Sequence, residues 1–216
     1  MKLNLSLLVL ALACMSVARA QTEQGTKTLG LSLGYQKQTI ESDPGTSEIE
    51  YKLFQFGPGF GYFIKDKLEI GGNLLYSFQK QLQDSGPNYY SKSETKQYGA
   101  TIFLQKHIMF SDQFGVRTGP FLSYIHGENE QMYNGQMTNT QKQTSSTNTY
   151  QGGLNLGLEY FPSKRIGIAA NLVSLSYSHF KRENEYNAGS TEKGNSVDLT
   201  LTNALNLSVF WIFGAK

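Results

Sequence analysis

The sequence predicts an all-β fold: an eight-stranded antiparallel up-and-down transmembrane β-barrel, preceded by a cleaved signal peptide. Three observations predict it. Apolar and polar residues alternate with period two along most of the chain, the mark of strands with one apolar and one polar face. Short turns and longer polar stretches join these segments in alternation, as in a barrel with one tight end and one looped end. The polar parity is rich in Gly, Ser, Thr, Asn and Gln, which suits a narrow interior filled by side chains.

The N-terminus stands apart from the fold. Lys2 gives a positive start, Leu3 to Ala13 form a short apolar run, and Ala18-Arg19-Ala20 fits a small-x-small cleavage site. The run is too short for a membrane-spanning helix and has the anatomy of a secretory signal. Residues 1–20 are therefore expected to be removed, leaving 21–216 as one barrel domain that begins at Gln21. A lipoprotein cut before Cys14 would place Leu first among the three preceding residues, where Ala11-Leu12-Ala13 stands. Cleavage after Ala20 is the expectation. It removes the only cysteine, so the mature chain has no disulfide, thiol nucleophile or cysteine metal site. The whole chain carries +2; losing Lys2 and Arg19 leaves 17 basic and 17 acidic residues. No net field points to nucleic acid.

The strands follow in order, at 27–40, 49–64, 68–82, 95–110, 114–127, 148–162, 166–181 and 197–213. The first sets Leu29, Leu31, Leu33 and Tyr35 against Gly30, Ser32, Gly34 and Gln36. The second sets Phe54, Phe56, Pro58, Phe60 and Tyr62 against Gln55, Gly57, Gly59 and Gly61. The third sets Leu68, Ile70, Leu74, Tyr76 and Phe78 against Glu69, Gly71, Asn73 and Ser77. The fourth opposes Tyr98, Ala100, Ile102 and Leu104 to Gly99, Thr101 and Gln105. The fifth opposes Phe114, Val116, Leu122 and Tyr124 to Gly115, Arg117, Gly119 and Ser123, and the sixth Tyr150, Leu154, Leu156, Leu158 and Tyr160 to Gln151, Gly153, Asn155 and Glu159. The seventh changes parity between Leu172 and Val173, which a β-bulge would reconcile. The eighth opposes Val197, Leu199, Leu201, Leu207, Val209, Trp211 and Phe213 to Asp198, Thr200 and Ser208.

Lys65-Asp66-Lys67, Ser111-Asp112-Gln113 and Pro162 to Arg165 read as tight turns; 41–48, 83–95, 127–147 and 183–196 read as long polar loops. An even strand count puts both termini on the tight-turn side, periplasmic in an outer-membrane barrel. Periodicity alone does not say whether the apolar face meets lipid or an internal ligand. The aromatics do. Phe114 to Tyr124 and Tyr150 to Tyr160 are each long enough, at about 3.3 Å per residue and a tilt of about 40°, to cover an apolar band of roughly 25 Å. Tyr62, Phe110, Phe114, Tyr160 and Trp211 gather near the turns; Tyr35, Tyr76, Tyr98, Tyr124, Tyr150 and Tyr177 gather near the loops. Two girdles are expected at two membrane interfaces.

The run from Phe56-Gly57-Pro58-Gly59-Phe60-Gly61-Tyr62 through Lys65-Asp66-Lys67 to Gly71-Gly72 resembles the strand–turn–strand signature of the small outer-membrane β-barrel domain family, which includes OmpA-, OmpX- and OmpW-like barrels and is abundant in Bacteroidota. Gly119 to Tyr124 and Gly157 to Pro162 resemble its later strands. The resemblance covers nearly all of the mature chain and implies the outer membrane, its lipids and the barrel-assembly machinery as surroundings. One departure is the C-terminus, where Gly214-Ala215-Lys216 follow Phe213 in place of a terminal aromatic.

No motif carries catalysis or a cofactor. His107, His126 and His179 lack metal-ligand spacing and read as lumen or interfacial side chains. Ser178-His179 and His126-Gly127-Glu128 invite comparison with outer-membrane lipid esterases, without a good local match. Gly57, Gly59 and Gly61 alternate along a strand with no helix after them, so they are not a phosphate loop. Asn206-Leu207-Ser208 is a glycosylation sequon inside a predicted strand. The Gln131 to Thr149 run reads as a solvated loop. Glu69, Arg117 and Glu159 fall on the inward parity near the turns. They are expected to form a structural lumen cluster built on an Arg117–Glu159 ion pair. The function expected is a monomeric structural or surface-interaction barrel meeting an extracellular partner through its loops. The alternatives are a transporter of small or apolar molecules and, remotely, a lipid hydrolase.

Overall fold

The computed structural model describes residues 21–42, 47–84, 89–135, 138–184, 190–201 and 207–214. The predicted signal peptide 1–20 with Cys14, the sequon's Asn206, and the last two residues of the C-terminal departure lie outside them. The strands are β1 (Lys27–Ser42), β2 (Ser47–Lys65), β3 (Leu68–Asp84), β4 (Tyr89–Met109), β5 (Phe114–Gly135), β6 (Thr138–Ser163), β7 (Ile166–Asn184), β8 (Ser190–Leu201) and β9 (Leu207–Phe213). Successive strands pair antiparallel from β1 to β7. β8 and β9 lie one after the other along β7 and together form the eighth strand. β9 also pairs with β1 from Lys27↔Phe213 to Ser32↔Ser208, which closes the ring of eight. Among the described residues, β1 beyond Ser32 pairs only with β2, and β8 pairs only with β7.

The strands run further than apolar alternation predicts. β5 and β6 continue through most of 127–147, expected as a loop, to the rung Gly135↔Thr138. β4 starts at Tyr89 and β8 at Ser190, ahead of the expected 95 and 197. The cause is physical. Apolar alternation marks only strand that touches lipid, whereas a hairpin rising into water can be polar on both faces and still satisfy its backbone by pairing. At the change of parity in β7 the ladder shifts: Leu156 pairs with Val173 and Gly157 with Asn171, leaving Leu172 as the extra residue. That is a β-bulge at the expected place.

The apolar parity faces outward. Leu33 is 59% exposed, Ile102 63%, Leu122 62% and Tyr150 60%. A continuous surface of this kind is untenable in water and matches lipid. Phe114 stacks on Tyr160 near the turns, with centroids 4.5 Å apart, and Tyr124 meets Tyr150 near the loops at 5.2 Å.

The inward parity changes character at the turn end. There Phe161, Ala169, Phe210 and Ile212 form a buried apolar cluster with Met109 against it. Phe161 meets Phe210 edge-on at 5.8 Å. Gly167 makes room for this floor, since a Cβ there would fall on the Phe210 ring. Residues 21–26 fold under it as a strap. The Lys67 N–H donates to the Thr22 carbonyl (2.7 Å), Phe63 N–H to Thr26 and Gly25 N–H to Phe63. The Gln21 side-chain amide donates to the Ser163 carbonyl at 2.9 Å.

Candidate functional site: the sealed lumen

Just above the apolar floor, three strands place charged groups at one height. Glu69 leaves β3, His107 leaves β4 and Glu159 leaves β6, and all three are buried. His107 Nδ1 lies 2.7 Å from Glu159 Oε2, and Nε2 lies 3.1 Å from Glu69 Oε2. The Thr28 hydroxyl of β1 donates to the other Glu69 oxygen at 2.5 Å. The Phe63 ring leans on the imidazole, with centroids 5.0 Å apart. The network therefore spans the bore from β1 to β6.

Glycines make the reach across the bore feasible. A Cβ at Gly61 would land on the Glu69 carboxylate and the Thr28 hydroxyl. Gly115, the β5 residue opposite Glu159, leaves the gap through which that carboxylate passes; a Cβ there would stand 2.9 Å from Glu159 Oε1. A cationic His107 can donate from both ring nitrogens, one to each carboxylate. With Arg117, that balances the two carboxylates in a site where an unpaired charge is costly. Among the described residues, no group of three or more His, Cys, Asp or Glu is arranged to hold a metal.

The expected Arg117–Glu159 ion pair is not formed. Glu69 and Glu159 come together through His107, and no ion pair within 4 Å reaches Arg117 among the described residues. Its Nε is buried without a hydrogen-bond partner, although both carboxylates act on it electrostatically. The reason is register. Phe114 pairs with Tyr160, so Glu159 faces Gly115 and Arg117 faces Gly157, two residues higher. Residues counted equally from their turns sit at different heights because barrel strands are staggered by the shear. Arg117 instead faces His107 across the β4–β5 ladder. His107 was the residue sequence reasoning missed as part of this cluster. Its signal was available: it continues the inward parity of Thr101 and Gln105 to the turn-end height of Glu69.

Above the network the bore is mixed, with Phe103 and Phe121 among polar side chains. A cavity of about 280 Å³ is lined by Thr28, Asn73, Gln105, Arg117, Asn155 and others. A second of about 620 Å³, towards the loop end, is lined by Gln97, Asn129, Gln131, Thr144 and Arg182 among others. The motifs compared with lipid esterases do not join into one Ser/His/Glu set, although His126 Nε2 lies 3.7 Å from Glu128 Oε1. Ser178 Oγ bonds Ser196 Oγ at 2.8 Å, while His179, its neighbour on the opposite face of β7, meets Asn195 at 2.8 Å. His126 Nδ1 lies 2.8 Å from Asn148 Oδ1. No described hydrogen bond joins a serine to a histidine ring.

Comparison with known proteins identifies the family of this barrel. No curated protein matches the sequence. Three solved structures are similar: a major outer membrane protein of Thermus thermophilus, at 14% identity over 88% of this chain and 100% of that one, TM-score 0.45; Ail, the attachment invasion locus protein of Yersinia pestis, at 12% over 88% and 99%, TM-score 0.39; and OprG of Pseudomonas aeruginosa, at 11% over 91% and 99%, TM-score 0.42. At these identities no function carries over from them. The family model of the outer membrane protein β-barrel domain matches residues 5–213, and this chain, an outer-membrane β-barrel by sequence family and by architecture alike, belongs to that family.

Proposed function

We propose that this protein is a structural and surface-interacting barrel that does not conduct solutes through its lumen. One observation carries the proposal: the bore is closed at the turn end by the Glu69–His107–Glu159 network, with the Phe161/Phe210/Ile212 floor and the 21–26 strap beneath it. Glu69, Arg117 and Glu159 then act as a structural lumen cluster that braces this end, with His107 as the bridging member. The turn end is periplasmic, the chain is monomeric and inserted by the barrel-assembly machinery, and the long hairpins present their tips to an extracellular partner. No catalytic role is assigned to any residue. Liposome swelling tests the proposal. Vesicles holding the purified protein should swell in small neutral sugars no faster than protein-free vesicles. Swelling at porin-like rates would overturn it.

A second reading, sideways passage of small apolar molecules from lumen to membrane, is favoured by the wall. Ser32 and Ser208 form the last rung between β1 and β9, and both line the lower cavity. Above them no β1–β8 pairing is described. Transfer of an apolar fluorophore into vesicles, measured with wild type and with Thr39→Cys/Leu201→Cys cross-linked, separates the two readings. Protein-dependent transfer that stops on cross-linking supports lateral passage; none in either protein rejects it.

A further inference from the structure

The outward face at the loop end carries a row of lysines set directly above a row of aromatics. Tyr35 of β1, Phe54 of β2 and Phe78 of β3 are partners across the two ladders. One outward step higher, Lys37 pairs with Lys52 and Lys52 with Lys80. Three ammonium groups thus hang from three adjacent strands along one rung, which a strand tilt of about 40° inclines to the membrane by roughly 3 Å per strand. At about 4.8 Å between strands they span roughly 10 Å. Like charges directly opposite one another destabilise a strand pair, so the row calls for an anion. The protein supplies part of it, and two outward steps beyond the lysines Glu41 pairs with Glu48 and Glu48 with Asp84 in the ladder. Glu50 alone serves both Lys37, at 3.5 Å, and Lys52, at 2.5 Å. Lys80 has no ion-pair partner among the described residues; Glu94, opposite it in the ladder, pairs with Lys92 at 2.8 Å.

We propose that Lys37, Lys52 and Lys80 form a binding site for the phosphate groups of an outer-leaflet lipid headgroup. The inference rests on the orientation given above, with the loop end outside. The aromatic row marks the boundary where acyl chains give way to headgroups. The next outward residue lies about 6–7 Å further along each strand, roughly 5 Å higher at a tilt of about 40°, at headgroup level. A ligand that lays apolar chains against Tyr35, Phe54 and Phe78 and sets more than one negative charge on the lysines fits both rows. A phosphorylated lipid has that chemistry; a soluble anion has no use for the aromatic row.

The test is lipid retention by the full mature protein, measured by native mass spectrometry in neutral detergent, with diphosphorylated lipid A, phosphatidylcholine and inorganic phosphate as probes. The wild type should retain lipid A in preference to phosphatidylcholine. The triple variant Lys37→Gln/Lys52→Gln/Lys80→Gln should retain it roughly a hundredfold less, about fivefold per lysine. A turn-end control, Lys65→Gln/Lys106→Gln/Lys164→Gln, should retain it normally. Heat-modifiable electrophoretic mobility confirms that each variant is folded, and the substituted side chains lie on the outside of the ladder. Equal retention by wild type and the loop-end variant would overturn the site, as would equal loss in the turn-end control. Displacement of lipid A by millimolar inorganic phosphate would overturn the assignment to a lipid. Retention is read in detergent, so it does not depend on orientation. Labelling of intact cells, described below, tests orientation separately.

Discussion

His107 Nδ1 stands 2.7 Å from Glu159 Oε2, joining β4 to β6 across the bore. Neither residue belongs to a neighbouring strand of the other; Gly115 of β5, lacking a side chain, opens the path between them. Removing the imidazole leaves two carboxylates buried against each other. His107→Ala should therefore cost about 3–5 kcal/mol in urea unfolding of the lipid-reconstituted barrel. In a double-mutant cycle, Glu159→Ala should add little once His107 is gone, with a coupling of about 1–3 kcal/mol. Additive losses would contradict the bridge.

Arg117 faces the same network without a hydrogen bond at Nε. Arg117→Ala should cost less than His107→Ala, since no ion pair within 4 Å is lost and only its longer-range balance of the two carboxylates goes. A larger loss for Arg117 than for His107, in the same unfolding experiment, would show that the arginine holds the site.

Glycines on the inward face differ in how much room they leave, and their substitutions should rank accordingly. A Cβ at Gly61 collides with the Glu69 carboxylate and Thr28, whereas one at Gly34 meets the end of the flexible Gln55 side chain at 3.1 Å. Gly61→Ala should destabilise by about 1–3 kcal/mol and Gly34→Ala by less than about 1 kcal/mol. Thermal unfolding in detergent ranks the two; the reverse order would contradict the packing described.

The polar hairpin formed by β5 and β6 should be visible in hydrogen exchange. Amides of Gln131 and Gln143, partners in the ladder, should be protected well beyond the rate of an unstructured loop. Full exchange of this segment at loop rates would shorten both strands to their membrane-facing part.

Orientation is checked with single cysteines, since the mature chain expected from the sequence has none. In intact cells a membrane-impermeant maleimide should label Asn134→Cys at the hairpin tip and miss Asp66→Cys in the β2–β3 turn. The opposite pattern would invert the barrel.

Much of this was legible in the sequence because the membrane imposes a simple rule. Leu29, Leu31 and Leu33 must face lipid together, and the tight turns at Asp66 and Asp112 set the strands' lower ends. The parity change at Leu172-Val173 located a bulge for the same reason. The upper strands were not legible, because Thr144 to Thr147 pair with Gly127 to Glu130 in water, where no face needs to be apolar. The buried cluster was half legible. Parity gave its inward residues. The partner of Glu159 depends on register between non-adjacent strands, and period-two alternation carries no information on shear. The floor was hidden because Phe161, Phe210 and Ile212 break the small-and-polar pattern of the inward face and, in a sequence, look like more lipid-facing residues.

In the barrel proposed here the bore is closed below Arg117 by His107 and its two carboxylates. Electrical recording in a planar bilayer tests it most directly. The wild-type barrel should insert without resolvable conductance steps, and His107→Ala combined with Phe210→Ala should open measurable ones. Stable ohmic conductance in the wild type, unchanged in the double variant, would show an open lumen and contradict the account.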